Sequence, residues 1–242
     1  MVLCEVLVSG GTVEKAGSIT KSLKGDTADM KKIHAGYEIL TPIDANDIYK
    51  KLEIVGRTCY KSEDKITEES AEKFVRALVK RGHEAMLEHA SISVRFIVDR
   101  GVSHELVRHR IASFAQESTR YCNYTQDKFG NELTFVRPAW HPDFPGFVVW
   151  HNAMQVAEEA YFKMIALGCT PEEARSVLPN SLKTEVVMTA NLREWRHFFK
   201  LRAVGVTGKP HPQMAEVAVP LLKEFAEKLP AVFGDILEEL KD

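Results

Sequence analysis

The 242-residue sequence predicts an α+β fold, a mostly antiparallel sheet flanked by helices, on three observations. Ile92, Val94, Phe96 and Val98 alternate with Ser91, Ser93 and Arg95, and residues 183–188 alternate likewise, the two-residue period of half-buried strands. Residues 67–81, 144–167 and 191–202 carry apolar side chains at helical spacing instead. Two amphipathic runs, 217–229 and 231–240, add packing helices with no evident chemistry.

From the N-terminus, residues 3–8 read as a strand ended by Ser9-Gly10-Gly11-Thr12. Gly10, Gly11 and Gly17 do not make a GxGxxG, so they point to a turn rather than a dinucleotide loop. Residues 9–36 are a poorly patterned excursion or insertion. Residues 37–40 resume a strand that stops at Pro42, and Asp44 caps a helix through about Val55. Thr67 and Ser70 open a second helix, 67–81, which buries Phe74, Val75, Leu78 and Val79 and ends at Gly82.

Gly82-His83-Glu84-Ala85-Met86-Leu87-Glu88-His89 is not the zinc-protease HExxH, because its second histidine lies six residues after the first. Two imidazoles so spaced do not share a helix face, and no metal site is read here. His83 taken alone closes the loop after Gly82.

After the strand at 92–98, residues 101–111 read as a helix, with Ser103 able to cap and Leu106, Val107 and Ile111 as its apolar stripe. In such a helix Arg108 and Arg110 differ by roughly 200° and serve different sides. Beyond Ala112 the chain is expected to be extended, which projects Gln116, Ser118 and Arg120 to one side. Amide, hydroxyl and guanidinium together suit a phosphate and a planar polar ring. Arg108-His109-Arg110 taken alone reads as an exposed basic helix end.

Residues 133–137 form another strand. The long helix 144–167 carries Phe147, Trp150, Met154, Ala157, Tyr161 and Ile165 for core or subunit contact, and stops at Gly168. Thr170-Pro171-Glu172-Glu173 opens a short helix ending near Leu178-Pro179, on which Arg175 faces solvent beside Glu172. The strand at 183–188 leads through Asn191 into a helix with Trp195, Phe198, Phe199 and Leu201 on its apolar side. Arg202 ends that helix, where a cation also stabilises the helix dipole.

Composition bounds the partners. A formal charge of −2 gives no reason to expect nucleic acid or a membrane surface, and no run of 18 apolar residues occurs. Cys4, Cys59, Cys122 and Cys169 form no CxxC pair, so we expect reduced thiols and a cytoplasmic protein. With 45% hydrophobic residues we expect one domain spanning 1–242.

Arg108-His109-Arg110, seven further residues, Ser118, any residue and Arg120 resemble the signature of the flavin-dependent thymidylate synthases at every fixed position. Other segments are similar in the same order: Gly56-Arg57-Thr58-Cys59-Tyr60; Gly82-His83 with Glu88-His89, one spacer short; Glu173-Ala174-Arg175 with Leu178-Pro179; and Asn191, Arg193 and His197 with Leu201-Arg202. The resemblance spans about residues 45–216.

It implies reductive methylation of deoxyuridine monophosphate (dUMP) to thymidylate (dTMP). Methylenetetrahydrofolate would be the carbon donor, bound FAD the hydride carrier and NADPH the reductant. The assembly would be a homotetramer with active sites between subunits. For the flavin the resemblance implies Cys59, His83, Ala85, Arg108, His109, Arg110, Gln116, Asn191, Arg193 and His197. For the nucleotide it implies Glu105, Leu106, Val107, Arg108, Gln116, Glu117, Ser118, Thr119, Arg120, Arg175 and Arg202, with Arg202 against the uracil ring as the catalytic group. Gln116 stands where many members have glutamate, Ala115 where asparagine is frequent, and His104-Glu105 where some have Arg-Gln. Ser118 has no base-and-orienter pair in the sequence, so we read it as a binding group and not a nucleophile. Cys122 lies outside the signature. Three rivals stay open on the sequence: another flavin or nucleotide enzyme, a nucleic-acid module using the three arginines, and a histidine-ligated metallohydrolase.

Overall fold

The computed structural model describes residues 30–125, 132–140 and 143–240. The expected strand at 3–8 and most of the 9–36 excursion lie outside them. In chain order the elements are β1 (Lys31–Ile33), β2 (Gly36–Ile39), α1 (Ala45–Thr58), α2 (Ser70–Lys80), β3 (Ser91–Asp99), α3 (Arg100–Leu106) and β4 (Ala112–Gln116). There follow β5 (Thr134–Val136), α4 (Gly146–Ala166), α5 (Pro171–Ala174), β6 (Lys183–Asn191), α6 (Leu192–Phe199), α7 (Pro212–Lys228) and α8 (Pro230–Glu239).

The main sheet has the order β2-β3-β6-β4 and every pairing in it is antiparallel, as the α+β expectation requires. The alternation read from the sequence is the alternation observed: Ile92, Val94, Phe96 and Val98 are buried, as are Val186 and Met188 across from them. Their inner face meets Trp195, Phe198 and Phe199 of α6, Phe225 of α7 and Phe233 of α8. The Phe225 ring meets those of Trp195, Phe199 and Phe233 tilted or edge-on, with centroids 5.2–5.3 Å apart. Burying each such side chain stabilises the fold by about 1.5–3 kcal/mol.

A second apolar cluster gathers Trp150, Met154 and Tyr161 of α4 with Tyr124, Leu133, Phe135 and Leu182. Trp150 donates its indole N–H to Ser181 Oγ at 2.9 Å, so the ring is buried without an orphaned donor. Here β1 pairs with β5 in parallel, so the end of the 9–36 excursion is a strand.

Asp44 caps α1 as expected, and the Thr170–Glu173 capping box at α5 is complete in both directions. Gly82, with φ +69, turns the chain out of α2, and the backbone N–H of His83 closes that turn on Leu78 O at 2.9 Å. α2 starts at Ser70, three residues later than expected, because the Ser70 hydroxyl holds Thr67 in the preceding turn.

The helix expected over 101–111 is different. It begins one residue earlier, is capped by Asp99 accepting from Val102 N–H, and ends at Leu106. Ser103 bonds back to Arg100 O at 2.8 Å instead of capping. The chain after Leu106 turns twice and joins the sheet as β4, whose pairing with β6 outweighs further helix. The long C-terminal helix α7 starts at Pro212, earlier than 217, with proline at its first position.

Candidate active site

β4 runs antiparallel to β6 with Ala112 opposite Ala190 and Gln116 opposite Val186. The segment before β4 therefore sits beside the β6–α6 junction. Asn191 caps α6 there, its Oδ1 accepting from Glu194 N–H at 2.9 Å. Between them opens a cavity of about 600 Å³, lined by Arg108, His109, Arg110, Asn191, Arg193 and His197, all six named by the sequence. Glu84, Glu88, Glu194, Arg196 and Lys200 complete its charged wall.

Five cations thus face three carboxylates, a balance that suits an anionic ligand. Not every cation is available. Arg196 is buried, bound to Glu84 at 2.8 Å, to both oxygens of Asp235 at 2.7 Å and to the carbonyl of Val232, so it ties α6 to α8. Arg193 is exposed and pairs with Glu88 at 2.6 Å. Arg108 and Arg110 are exposed and have no ion pair among the described residues.

A second cavity of about 340 Å³ shares Glu84 and Arg193 with the first. Cys59, His83 and Ala85 line it. Its floor is where α1 crosses α2: a Cβ on Gly56 would lie 2.6 Å from Phe74 Cε1, so any larger residue there would require the ring to shift. Arg57 turns away from the cavity, stacking on Phe74 at 4.6 Å and pairing with buried Glu53.

Behind the first cavity a chain of polar contacts joins three elements. Arg202 Nη1 donates to Glu105 Oε2 at 2.7 Å, its Nη2 to Glu105 O at 3.4 Å, and its Nε to His109 Nε2 at 3.3 Å. His109 Nδ1 meets Glu194 Oε1 at 2.9 Å. Burial holds the His109 imidazole below its ordinary range, against the pull of the Glu194 carboxylate and with help from Arg202 and His197. His109 is therefore neutral near neutral pH. Since guanidinium N–H groups only donate, Nε2 carries the lone pair and Nδ1 the proton.

His109, Glu194 and His197 place ligand-type atoms within 4.8 Å of one another. Both nitrogens of His109 are already committed, one to a carboxylate and one to an arginine, which leaves the ring no lone pair for a metal. Arg202 itself does not end α6. It lies in a π-helical turn, Lys200–Val204, closed by Gly205 in the left-handed region.

At the other end of β4 the geometry departs from the expectation that Gln116, Ser118 and Arg120 share a side. The strand stops at Gln116, and Ser118 heads a turn whose carbonyl accepts from Tyr121 and Cys122 N–H. Gln116 donates to Ser103 Oγ at 3.0 Å and Thr184 Oγ1 at 3.3 Å. Glu117 accepts from Tyr124 at 3.1 Å and Lys183 at 3.2 Å beside a cavity of about 380 Å³. Burial lowers the Lys183 affinity for a proton, but Glu185 and Glu117 outweigh it and leave the ammonium firmly charged. Thr119 is buried. Arg120 pairs with Glu172 of α5 at 3.0 Å, so Glu172 partners Arg120 and not Arg175, which is exposed on the following turn. Leu106 is fully buried in the core, so only its backbone can face a ligand, and Val107 beside it is half-buried.

The sequence-named residues thus fall into two groups at opposite ends of β4, separated by about 13 Å along a five-residue strand. None of the three cavities holds Arg108, Arg175 and Arg202 together. The sequence reading missed Glu194, Arg196 and Lys200. Asn191 followed three residues later by Glu194 has the spacing of a capping box, which disguised an inward-facing acid.

Among the described residues no helix is long and apolar enough to cross a membrane. The family model described as thymidylate synthase complementing protein matches residues 43–231, a span that holds every candidate residue from Cys59 to Arg202. The flavin-dependent thymidylate synthase of Geobacter sulfurreducens is 32% identical over 197 residues, covering 75% of this chain and 79% of that one. That of Pyrococcus furiosus is 36% identical over 177 residues, 72% and 70% of the two chains. Among solved structures, the UMP/dUMP methylase PolB from Streptomyces cacaoi bound with 5-Br UMP aligns with a TM-score of 0.69 and 21% identity. It covers 88% of this chain and 98% of its own, a likeness of fold.

Proposed function

The chain belongs to the thymidylate synthase complementing protein family, that of the flavin-dependent thymidylate synthases, and from this premise we propose that it methylates dUMP to dTMP reductively. Methylenetetrahydrofolate is the carbon donor, FAD the bound flavin and NADPH the reductant in this reading. The observation that carries it is the pair of guanidiniums, Arg108 and Arg110, without an ion pair among the described residues and flanking the part-buried His109–Arg202 link at a cation-rich cavity.

The residues present fit FAD. Its diphosphate needs planar, permanently charged donors, which Arg108 and Arg110 offer, and its length needs a groove such as the two adjoining cavities provide. His83, Cys59 and Ala85 would flank it in the smaller cavity, and Asn191, Arg193 and His197 in the larger. FAD bound there supplies hydride transfer.

The protein's own part is orientation and charge. Three of the five N–H groups of Arg202 are spent on Glu105 and His109, which leaves one on each terminal nitrogen for a planar acceptor edge. A pyrimidine that gains hydride becomes more electron-rich, and such a donor pair binds it more tightly in the transition state than before. Ser118, Arg120 and Arg175 would hold the nucleotide phosphate, with Gln116, Glu117 and Thr119 shaping that end.

Because these two sets lie at opposite ends of β4, a complete centre would take one set from each of two copies. A homotetramer is the assembly we propose, and the exposed Val148, Val149 and Val156 on α4, 61%, 70% and 65% accessible, support further association. The free thiols Cys59 and Cys169 support a reducing, cytoplasmic setting.

The test is optical. The purified protein should be yellow, bleach with NADPH without oxygen, and recover its colour on adding dUMP and methylenetetrahydrofolate, with dTMP formed. A colourless protein that takes up no FAD, or one that recovers without making dTMP, overturns the reading.

A further inference from the structure

We propose that Glu194 is a positioning residue: through His109 it fixes the orientation of Arg202. This deepens the reading above and rests on it for the role of Arg202. Glu194 stands third in α6, the position from which an acid completes a capping box. At α5 the equivalent acid does so, Glu173 accepting from Thr170 N–H at 2.8 Å. Glu194 does not. Asn191 caps its N–H, yet the Glu194 carboxylate leaves the helix end, turns inward and is 6% accessible against His109 Nδ1.

The consequence lies in the ring proton. Arg202 donates to His109 Nε2, so that nitrogen must stay bare, and only the Nδ1–H tautomer satisfies both neighbours. Without the carboxylate, Nδ1–H loses its acceptor and the ring is free to protonate at Nε2. That proton would face the Arg202 Nε–H, two donors meeting head-on, and the guanidinium would lose one of the two residues that hold its plane. The groups facing the ring are Glu194 and His197 on α6, Arg202 beyond it, and the Phe198 ring at 5.1 Å, with Glu105 on α3 reached only through Arg202. None besides Glu194 accepts a proton from Nδ1.

The test compares Glu194→Ala and Glu194→Gln in the flavin-loaded enzyme, with thermal melts confirming that both fold. Glutamine can still accept from Nδ1–H through its oxygen, so it should lose less than alanine. For Glu194→Ala we expect kcat to fall roughly tenfold to a hundredfold, with a smaller change in KM for dUMP. In an Arg202→Ala background the same substitution should add little further loss. The ¹⁵N resonances of His109, read without turnover, should report Nδ1–H in the parent and a shift towards Nε2–H in Glu194→Ala. An unchanged tautomer, or losses that multiply fully in the double variant, overturns the proposal. If Arg202→Ala turned over at the parent rate, the reading of Arg202 would fail instead, and the tautomer alone would decide whether Glu194 orders the ring.

Discussion

Arg202 Nη1 lies 2.7 Å from Glu105 Oε2, a contact between residues 97 positions apart that pins a π-helical turn to the end of α3. Lysine at 202 would keep the charge but lose the planar fork, the contact to His109 and the two parallel donors. Arg202→Lys is expected to lower kcat by about 10²–10³, the usual cost of removing a donor aimed at developing charge. Steady-state dTMP formation measures it, and a rate within twofold of the parent would remove Arg202 from the chemistry.

Cys122 should be dispensable. It is half-buried beside the second apolar cluster, after the turn headed by Ser118, and not at the cavity that carries Arg108. Cys122→Ala is expected to retain turnover; loss of all activity by a folded variant would argue for a thiol nucleophile.

The ion pair between Arg120 and Glu172 is half-exposed, with side-chain accessibilities of 49% and 53%. Such a pair stabilises the fold by no more than about 1 kcal/mol, but it occupies the guanidinium that a phosphate would need. Glu172→Gln should therefore lower KM for dUMP severalfold while leaving kcat alone. A raised KM would mean that Glu172 holds Arg120 in its working position instead of competing for it.

Stability should report Asp99. Burial raises its pKa, against the opposing pull of Val102 N–H, His211 and Gln213. A carboxyl whose folded pKa lies above the unfolded one contributes stability below the unfolded value, and that contribution fades as pH rises through the folded pKa. Glu216, also raised by burial and close enough to feel Asp99, titrates in the same sense. Asp99→Asn should thus gain in Tm relative to the parent as pH rises above the ordinary carboxylate range, about 4. A difference that stays flat with pH would show that the carboxylate is already well compensated.

Much of the fold was legible because it is written locally. The alternation at 92–98, the Asp44 cap, the helix opening at Thr170-Pro171 and the glycine stops at 82 and 168 depend on neighbours a few residues away, and each is found where the sequence puts it. Legibility failed where a distant strand decides. Nothing near residue 107 says that β6 will draw the chain out of helix after Leu106, and so the Ser103 cap and the shared side of Gln116, Ser118 and Arg120 were misjudged. The candidate site divides in the same way. Six residues of the large cavity carry motif spacing, but Arg196 reads as an ordinary helix cation, since its partners Glu84 and Asp235 lie 112 and 39 residues away.

The shortness of β4 has a genetic reading. If each centre is completed by the far end of a neighbour's strand, two lesions can live in different copies and cancel. A chain disabled at Arg108 and a chain disabled at Arg120 are each barren as pure populations, yet refolded together they should yield hybrids with some centres free of both defects. Mixtures that stay as inactive as their parents would mean that every copy works alone.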